Sequence, residues 1–372
     1  MNMDDAIACI KQLNEAGHEA YLVGGAVRDF LLKRPIHDYD LTTSATTDEI
    51  KACFGKSVQV NKAHQTVLVR HNGSLFEITP FKGDTLEADL KNRDFTINSL
   101  AMDVHYRVID VSGGLQDLEA KQLCSIDPNV AFQQDPLRML RAARFVSVLG
   151  FNPNQKLLTS IKSLSHLLRS VAKERITHET EQLILGMHKN EAFLLLKKTG
   201  ILEEISGLSA IKQKDLVHFL PRETWTEKDR AWLELAVSIQ STDFLASFSL
   251  ANQLKKKVKR AYAFYDKRQS HGWTNMMLYK AGLEIALLIE QVRKSRGLMV
   301  WTKQELDSHY ARLPIHAKNE LALSGHDLLQ IMKRPAGPWV NEALLSLEQA
   351  VVSGTVNNEK EELLSFLKKG TS

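Results

Sequence analysis

The sequence predicts an α+β protein, with a mixed β-sheet in its N-terminal part and helices throughout the remainder. Up to about residue 125, short runs rich in Val, Ile, Thr, Phe and Tyr alternate with helical runs. From about Pro136 onward, apolar residues recur at three- and four-residue spacing almost to the end. A chain of 372 residues is long for one hydrophobic core, so we expect two to four structural units.

Five runs in the first part have the composition of strands and are bounded by Gly, Asp or Asn. They are YLVGG, HDYDLTT, TVLVRHN, LFEITPF and AMDVHYRVIDV. Between them, AVRDFLLKR and TTDEIKACF have helical character, and Thr47 is a candidate N-cap of the second. The helices of the later part are separated by Pro and Gly in LPRETW, KRPAGPW and VSGTVNN.

The composition excludes several classes of protein. No stretch approaches the ~20 apolar residues that a membrane span requires, and the acidic N-terminus lacks the features of a signal peptide. The three cysteines, Cys9, Cys53 and Cys124, are scattered and odd in number, which is typical of a reducing cytoplasm. We therefore expect a cytoplasmic protein with no membrane partner. The net charge of +4 is only a weak bias toward polyanions.

A pair of carboxylates is the first candidate for chemistry. Asp38 and Asp40 are two residues apart in a β-like run, so both should project from one face of a strand, with Tyr39 facing the other way. Two anions so placed favour a hard cation such as Mg²⁺, and metal ions of this kind serve phosphoryl transfer. Glu77 is a candidate third carboxylate ligand. The alternative is that these acidic side chains are simply solvated, because such residues are common in turns and exposed strands.

A glycine pair precedes these carboxylates. Gly24 and Gly25 follow a short apolar strand and precede a helix that carries Arg28. Glycines allow backbone N–H groups to approach a phosphate, and Arg28 would add further donors. A strand–Gly–Gly–helix segment is also a common tight turn, but its combination with the two aspartates is more specific.

The segment QQDPLRMLRAARF predicts a helix that could read a base. Asp135 precedes Pro136, and Arg138, Arg141 and Arg144 continue a row at helical spacing. A carboxylate beside a guanidinium can accept from a base amino group and donate to a ring nitrogen or carbonyl. The apolar side chains are expected on the other side of the helix, at Leu137, Leu140 and Phe145. The alternative is an amphipathic helix with an exposed arginine row.

Two further segments carry candidate binding residues. In RDFTINSLAMD, a pair formed by Arg93 and Asp94 would bind ribose hydroxyls and triphosphate, or would be a surface ion pair of little consequence. The basic run 254–268 is a candidate surface for nucleic acid or a solvated helix face.

Taken in order, these motifs resemble those of the bacterial class II tRNA nucleotidyltransferases, relatives of poly(A) polymerases in the DNA polymerase beta superfamily. LVGGAVRD…DYD resembles the metal-binding motif, RDFTINSLAMD the ribose motif, and IDVSGGLQDL the hinge motif. QDPLRMLRAARF resembles the base-reading motif, KERITHE the motif that braces it, and the C-terminal run from LALSGHDLLQ the tRNA-gripping tail.

The resemblance implies an elongated, four-part organisation. Its parts would be a catalytic head with a DNA polymerase beta-like sheet at 1–130, a helical neck with the base-reading helix at 131–205, a helical body at 206–275 and a helical tail at 276–372. It also implies Mg²⁺ as cofactor, the acceptor end and elbow of tRNA as the primer contacts, and CTP, with ATP in some members, as substrates.

Roles for individual residues follow from the same resemblance. Asp38 and Asp40 would be catalytic and hold the metals, with Glu77 as a further candidate ligand. The nucleotide would be bound by Gly25, Arg28, Arg93, Asp94, Asn98, Asp135, Arg138, Arg141 and Arg144. Three positions depart from the family pattern. They are Gln134 in place of Glu, Asn92 in place of Arg, and Gln65 in place of Gly.

The length of one link bears on the product. In the family that this chain resembles, members that add the full CCA carry a flexible loop after the strand that corresponds to LFEITPF. The link at this position here, KGDTLEADLKN, is shorter. Members with such a short link resemble CC-adding enzymes, which stop after two cytidines. A separate enzyme then adds the terminal A. We expect CC addition, with full CCA addition as the alternative. Less favoured are an A-adding enzyme, a poly(A) polymerase, a metal phosphohydrolase and a tRNA-binding protein with an inactive head.

Overall fold

The computed structural model describes residues 3–55, 57–61, 65–208, 221, 223–224 and 226–370. Contacts divide the chain into two compact units. The described residues up to Leu208 lie in the first unit, and those from Thr226 onward lie in the second. Within the described ranges, no helix is both long and apolar enough to cross a bilayer.

The first unit is built on a seven-stranded mixed sheet of order β3-β4-β5-β2-β1-β6-β7. Strands β2 and β5 are parallel, and the other neighbouring pairs are antiparallel. The strands are β1 (Ala20–Val23), β2 (Asp40–Thr43), β3 (Ser57–Asn61), β4 (Thr66–His71), β5 (Ser74–Pro80), β6 (Leu100–Met102) and β7 (Val108–Asp110). A separate parallel pair joins β8 (Gln122–Leu123) to β9 (Asn152–Pro153). The predicted α+β class is confirmed.

Eleven α-helices accompany these strands in the described part of the first unit. They are α1 (Met3–Glu15), α2 (Gly25–Leu31), α3 (Thr47–Cys53), α4 (Leu86–Lys91), α5 (Gly114–Glu119), α6 (Pro128–Gln134), α7 (Leu137–Leu149), α8 (Gln155–Leu164), α9 (Lys173–Leu185), α10 (Lys189–Lys198) and α11 (Ile201–Glu204). Short 3-10 turns occur at Thr96–Asn98 and Ser165–Ser170. Helix α7 ends where Gly150 adopts a φ of 70°, a conformation that glycine accepts without strain.

Several local expectations were wrong in detail. The N-cap of α3 is Thr46, not Thr47, because Thr46 forms a capping box with Glu49. The run AMDVHYRVIDV is two strands rather than one, since Asp103 closes a turn by accepting from the backbone of Arg107. Strand β3 was not predicted at all. From Ser57 to Val60 the exposed positions are the two valines, so the apolar pattern of this segment does not mark a core face.

The core of the sheet explains the strand composition. Leu22, Leu41, Phe76 and Ile78 are all fully or almost fully buried. From Leu75 to Ile78 on β5, exposed and buried residues alternate, so Phe76 and Ile78 face the core while Glu77 faces outward. This alternation places polar side chains of β2 and β5 on a common surface, which is where the candidate site lies.

The described residues of the second unit form helices joined by turns and loops, with no strand among them. Its helices are α12 (Lys228–Ile239), α13 (Asn252–Ser270), α14 (Asn275–Ala281), α15 (Leu283–Ser295), α16 (Lys303–Ala311), α17 (Gly325–Met332), α18 (Pro338–Val352) and α19 (Lys360–Gly370). Fully buried Trp232 packs on Phe248, with ring centroids 4.9 Å apart. The buried Glu290 carboxylate accepts from Arg268 and Trp273, so its charge is compensated.

The basic run 254–268 forms most of α13, and some of its cations are turned inward. Lys257 pairs with Asp229 at 2.5 Å and also with Glu284. Arg268 is buried and pairs with Glu290 at 2.9 Å. The run therefore offers fewer cations to a nucleic acid than its sequence implies.

Candidate active site

The two predicted catalytic carboxylates lie at the start of β2. Strand β2 begins only at Asp40, so Asp38 belongs to the preceding loop, and the expectation that both lie within one strand was wrong. Both side chains nevertheless line the same cavity. Tyr39 between them is buried and packs edge-on against Phe76, with ring centroids 6.4 Å apart. Tyr39 therefore faces the core, as expected, while its two neighbours face the cavity.

Glu77 lies next to Asp40 because of the parallel pairing of β2 with β5. The two residues are register partners, and Glu77 is exposed toward the same cavity. Burial, together with the charges of Glu77 and Asp38, raises the pKa of the Asp40 carboxyl to about 6 against the opposing effect of Arg93. This surface therefore concentrates negative charge that a bound cation would relieve.

The donor set is compatible with Mg²⁺ but does not form a closed cage. Among the described residues, no three His, Cys, Asp or Glu side chains are grouped as ready metal ligands. Mg²⁺ usually takes one or two protein carboxylates and completes its shell with water and substrate phosphates. Asp38 and Asp40 fit that mode of binding, and Glu77 as a third ligand stays a prediction.

The glycine turn at Gly24 brings the guanidinium of Arg93 close to the backbone. Gly24 precedes α2 with a φ of 69° and a ψ of −130°. A Cβ atom at Gly24 would lie 3.1 Å from Nη1 of Arg93, so a larger residue would press on that guanidinium. Nε of Arg93 is buried and has no hydrogen-bond partner among the described residues. Gly25 also lines the cavity.

Arg28 is held at the cavity wall by two partners. Its Nη1 donates to Oδ1 of Asn98 at 2.7 Å, and its Nε and Nη2 donate to Asp29 at 3.0 and 2.9 Å. Asn98 in turn donates through Nδ2 to Oδ1 of Asp94 at 2.9 Å. These bonds connect the helix after the glycine turn with the RDFTIN segment.

The expected pairing of Arg93 with Asp94 was wrong. Arg93 pairs with Asp89 at 3.0 Å, one helical turn earlier, whereas Asp94 pairs with Arg141 of α7 at 2.6 Å. These two neighbouring side chains point in different directions, so each has its partner elsewhere. Nor is Asp94 a surface group, because it is only 7% exposed. Burial would raise its pKa, but Arg141 and the hydrogen bond from Asn98 lower that pKa to about 2.

The arginine row of α7 is packed rather than exposed. Arg144 lies 3.2 Å from Glu179 of α9, and Arg141 lies 3.6 Å from the same carboxylate. The guanidiniums of Arg28, Arg141 and Arg144 lie over the Phe145 ring, with centroid distances of 5.2, 5.7 and 4.5 Å. The expectation that Phe145 lies opposite the arginines was therefore wrong, because residues four apart on a helix share a face.

The predicted base-reading pair lies at the start of α7. Asp135 precedes the helix, accepts from the backbone N–H of Leu137 at 3.2 Å and pairs with Arg175 of α9 at 2.9 Å. Arg138 donates through Nη2 to the carbonyl of Asn92 at 2.9 Å. Each side chain is thus held by a group outside α7, and both line the cavity.

One cavity of about 1170 Å³ unites every predicted site residue. It is large enough for a nucleotide. Its lining includes Gly25, Arg28, Asp38, Asp40, Glu77, Arg93, Asp94, Asn98, Asp135, Arg138, Arg141 and Arg144. Carboxylates from β2 and β5 and a group of arginines from α7 therefore face a common space, which suits a metal-bound polyphosphate with an attached base.

Several residues that line this cavity were not predicted from the sequence. Arg175, His178 and Gln182 of α9 line the cavity, as do Lys82 and Asp89 near α4. The three α9 residues stand at positions i, i+3 and i+7, so helical spacing alone could have placed them on one face. Lys82 and Asp89 gave no such signal, because they come together only through the fold of a short link.

Comparison with known proteins agrees with this geometry. A family model of the poly A polymerase head domain matches residues 20–124, and one of tRNA nucleotidyltransferase domain 2 matches residues 223–367. A model for an RNA and SrmB-binding site of polymerase A matches residues 150–210. The CC-adding tRNA nucleotidyltransferase of Shouchella clausii is 41% identical over 366 residues, covering 98% of this chain and 97% of the relative. The chain belongs to the tRNA nucleotidyltransferase family. It is therefore an enzyme of a class that is generally metal-dependent.

Other members of the family extend the comparison. The CCA-adding enzyme of Geobacillus kaustophilus is 37% identical over 388 residues, covering 98% of this chain and 96% of the relative. The crystal structure of the Bacillus stearothermophilus CCA-adding enzyme in complex with CTP superposes with a TM-score of 0.92 at 37% identity, covering 100% of this chain and 98% of that one. This tRNA nucleotidyltransferase thus shares its fold with a CTP-binding relative along its full length.

Proposed function

We propose that this enzyme adds two cytidines to the 3′ end of tRNA from CTP, without a template and with release of pyrophosphate. The observation that carries the proposal is the shared cavity, in which Asp38 and Asp40 face the same space as Asp135 and Arg138. One pair suits phosphoryl transfer and the other suits reading a base. A cavity with both can select a nucleotide and transfer it with no template strand.

Mg²⁺ is the metal that the hard oxygen donors of Asp38 and Asp40 favour. When bound, it would increase the nucleophilicity of the tRNA 3′-hydroxyl and shield the charge of the departing pyrophosphate. Arg28 and Arg93 line the cavity and supply positive charge for the triphosphate.

Base selection falls to Asp135 and Arg138. The carboxylate of Asp135 accepts from the amino group of cytosine, and the guanidinium of Arg138 donates to its ring nitrogen and carbonyl. We place the ribose near Asp94 and Asn98, which also hold Arg141 and Arg28 in position. Arg141 and Arg144 complete the positive wall behind the nucleotide.

Two observations favour CC over full CCA addition. The CC-adding relative matches over 366 residues, whereas the CCA-adding relative of G. kaustophilus needs 388 residues to cover the same 98% of this chain. The CCA-adding relative therefore contains residues with no counterpart here, in line with the short link after β5. A separate enzyme would then add the terminal A. Full CCA addition is the second candidate, because the CCA-adding enzyme with CTP has the same fold at 37% identity.

The primer assay distinguishes these products. The purified protein is incubated with tRNA that lacks CCA, together with CTP, ATP and Mg²⁺, and products are resolved at single-nucleotide length. We expect extension by two cytidines and no further growth. Extension by three nucleotides would replace the proposal with CCA addition, and no extension under any metal would refute both.

We infer a cytoplasmic location, where tRNA and free thiols such as Cys9 would be found.

A further inference from the structure

The short link after β5, residues 82–92, is closed by side chains at its far end. Oδ1 of Asp89 accepts from the backbone N–H of Lys82 at 3.0 Å, and Nδ2 of Asn92 donates to the carbonyl of Lys82 at 3.2 Å. The same Asn92 amide donates to the carbonyl of Ala88 at 2.9 Å, at the end of α4. The backbone N–H and the carbonyl of Lys82 are therefore both hydrogen-bonded to side chains at the far end of the link.

Other contacts anchor this closed link to the sheet. Asp89 is 3% exposed, and its second oxygen pairs with Arg93 at 3.0 Å. Leu90 is fully buried in a cluster with Val23 and Ala101. Thr85 caps the start of α4 by accepting from the backbone of Ala88. A segment with a buried anchor, a cap and two crossing side-chain bonds has little freedom to change shape.

The closed link contacts the base-reading helix at one point. Nη2 of Arg138 donates to the carbonyl oxygen of Asn92 at 2.9 Å. Because the Asn92 side chain holds its own main chain against Lys82 and Ala88, it also fixes the direction of that carbonyl. The position of the Arg138 guanidinium thus depends on a residue that is not itself part of α7.

We propose that Asn92 and Asp89 are positioning residues that fix Arg138 for cytosine, and so restrict this enzyme to one base. The inference rests on the proposed function, in which Arg138 reads the incoming nucleotide. Cytosine and adenine present donors and acceptors at different distances from the sugar, so reading both requires the guanidinium to move. A link that holds Arg138 through the Asn92 carbonyl opposes that movement.

The test uses the full chain with Asn92→Asp, which keeps the size of the side chain but replaces its donor by an acceptor facing two carbonyls. The measured quantity is kcat/KM for CTP divided by kcat/KM for ATP on tRNA that lacks CCA. We expect this ratio to fall about fivefold, the value of one hydrogen bond, chiefly through a higher KM for CTP. Asn92→Ala should behave alike, and since Asn92 is exposed, both variants should stay folded.

The matched control is Lys91→Ala. Lys91 precedes Asn92, and within the described ranges its one ion pair is with exposed Glu87, so its loss should leave the ratio and the activity unchanged. If the wild type extends tRNA with cytidines while both Asn92 variants retain its ratio, the positioning role is wrong and the proposed function stands. If the wild type adds no cytidine, the proposed function fails first and this inference with it. A Lys91→Ala ratio that falls as far as that of Asn92→Asp would also overturn the inference.

Discussion

The carboxylate of Asp135 is held from two sides, by Arg175 at 2.9 Å and by the backbone N–H of Leu137 at 3.2 Å. One oxygen accepts from the helix start and the other from a guanidinium on α9. The carboxylate plane is therefore defined before any base arrives. Arg175 is 52% exposed on its side chain, so the pair contributes little to folding and more to orientation.

Removal of Arg175 should weaken CTP binding without unfolding the enzyme. In Arg175→Ala, Asp135 keeps only its bond to Leu137 and can rotate away from the amino group of the base. We expect KM for CTP to rise about fivefold with a smaller change in kcat, as measured by steady-state kinetics on tRNA ending before the CCA. Arg169→Ala is the control, because Arg169 is an exposed, ion-paired arginine outside the cavity. An unchanged KM in Arg175→Ala would contradict the orienting role.

Substitution of Asp40 should separate activity from stability. Asp40→Asn removes a proposed metal ligand, so nucleotide incorporation should fall by about a thousandfold or more. The same change removes a carboxylate whose pKa is raised to about 6 by burial and by its acidic neighbours. Without metal, the variant should therefore melt about 2 °C higher than the wild type at pH 8.

Addition of Mg²⁺ provides the contrast for that experiment. Mg²⁺ should raise the melting temperature of the wild type and leave that of Asp40→Asn unchanged, since binding stabilises only a protein with an intact site. Because a proton competes with the metal, the Mg²⁺-induced shift should shrink as the pH falls through about 6. Full incorporation by Asp40→Asn would show that the reaction does not depend on this carboxylate.

Local patterns were sufficient to find most of the candidate site. The spacing of Asp38 and Asp40, and the arginine row from Arg138 onward, depend only on neighbouring residues along the chain. Both groups face one cavity, although Asp38 lies in the loop before β2 and Phe145 shares a face with the arginines. Such patterns carry over into the fold because strand and helix periodicity act over a few residues.

Long-range pairings could not be predicted in the same way. Glu77 lies beside Asp40 only because β2 and β5 pair in parallel, and no local signal specifies that register. Asp94 and Arg141 are 47 residues apart in sequence, so their contact depends on how the sheet meets α7. The predicted pairing of Arg93 with Asp94 was wrong for this reason, because adjacency in sequence does not determine where each side chain points.

The ion pair of buried Asp94 with Arg141 predicts a pH dependence of stability. The folded pKa of Asp94 is about 2, below its ordinary value of 3.8, because Arg141 and Asn98 outweigh the effect of burial. A depressed pKa means that the ionised carboxylate stabilises the fold at any pH above the unfolded pKa. That contribution is lost progressively as the pH falls from about 5 to 2, and it is on the order of 2 kcal/mol at neutral pH.

Asp94→Asn should remove this dependence. At pH 7 the variant leaves the half-buried Arg141 with Glu179 as its ion-pair partner among the described residues, so the free energy of unfolding should be lower by on the order of 3 kcal/mol. Near pH 3 the gap between the two proteins should be smaller by on the order of 1 kcal/mol, since the wild-type carboxylate has by then lost part of its stabilisation. Urea unfolding followed by circular dichroism at both pH values measures the difference. Asp48→Asn, at a side chain that is 94% exposed, should match the wild type throughout. A constant gap between Asp94→Asn and the wild type from pH 7 to 3 would contradict the ionic origin of the pair's stability.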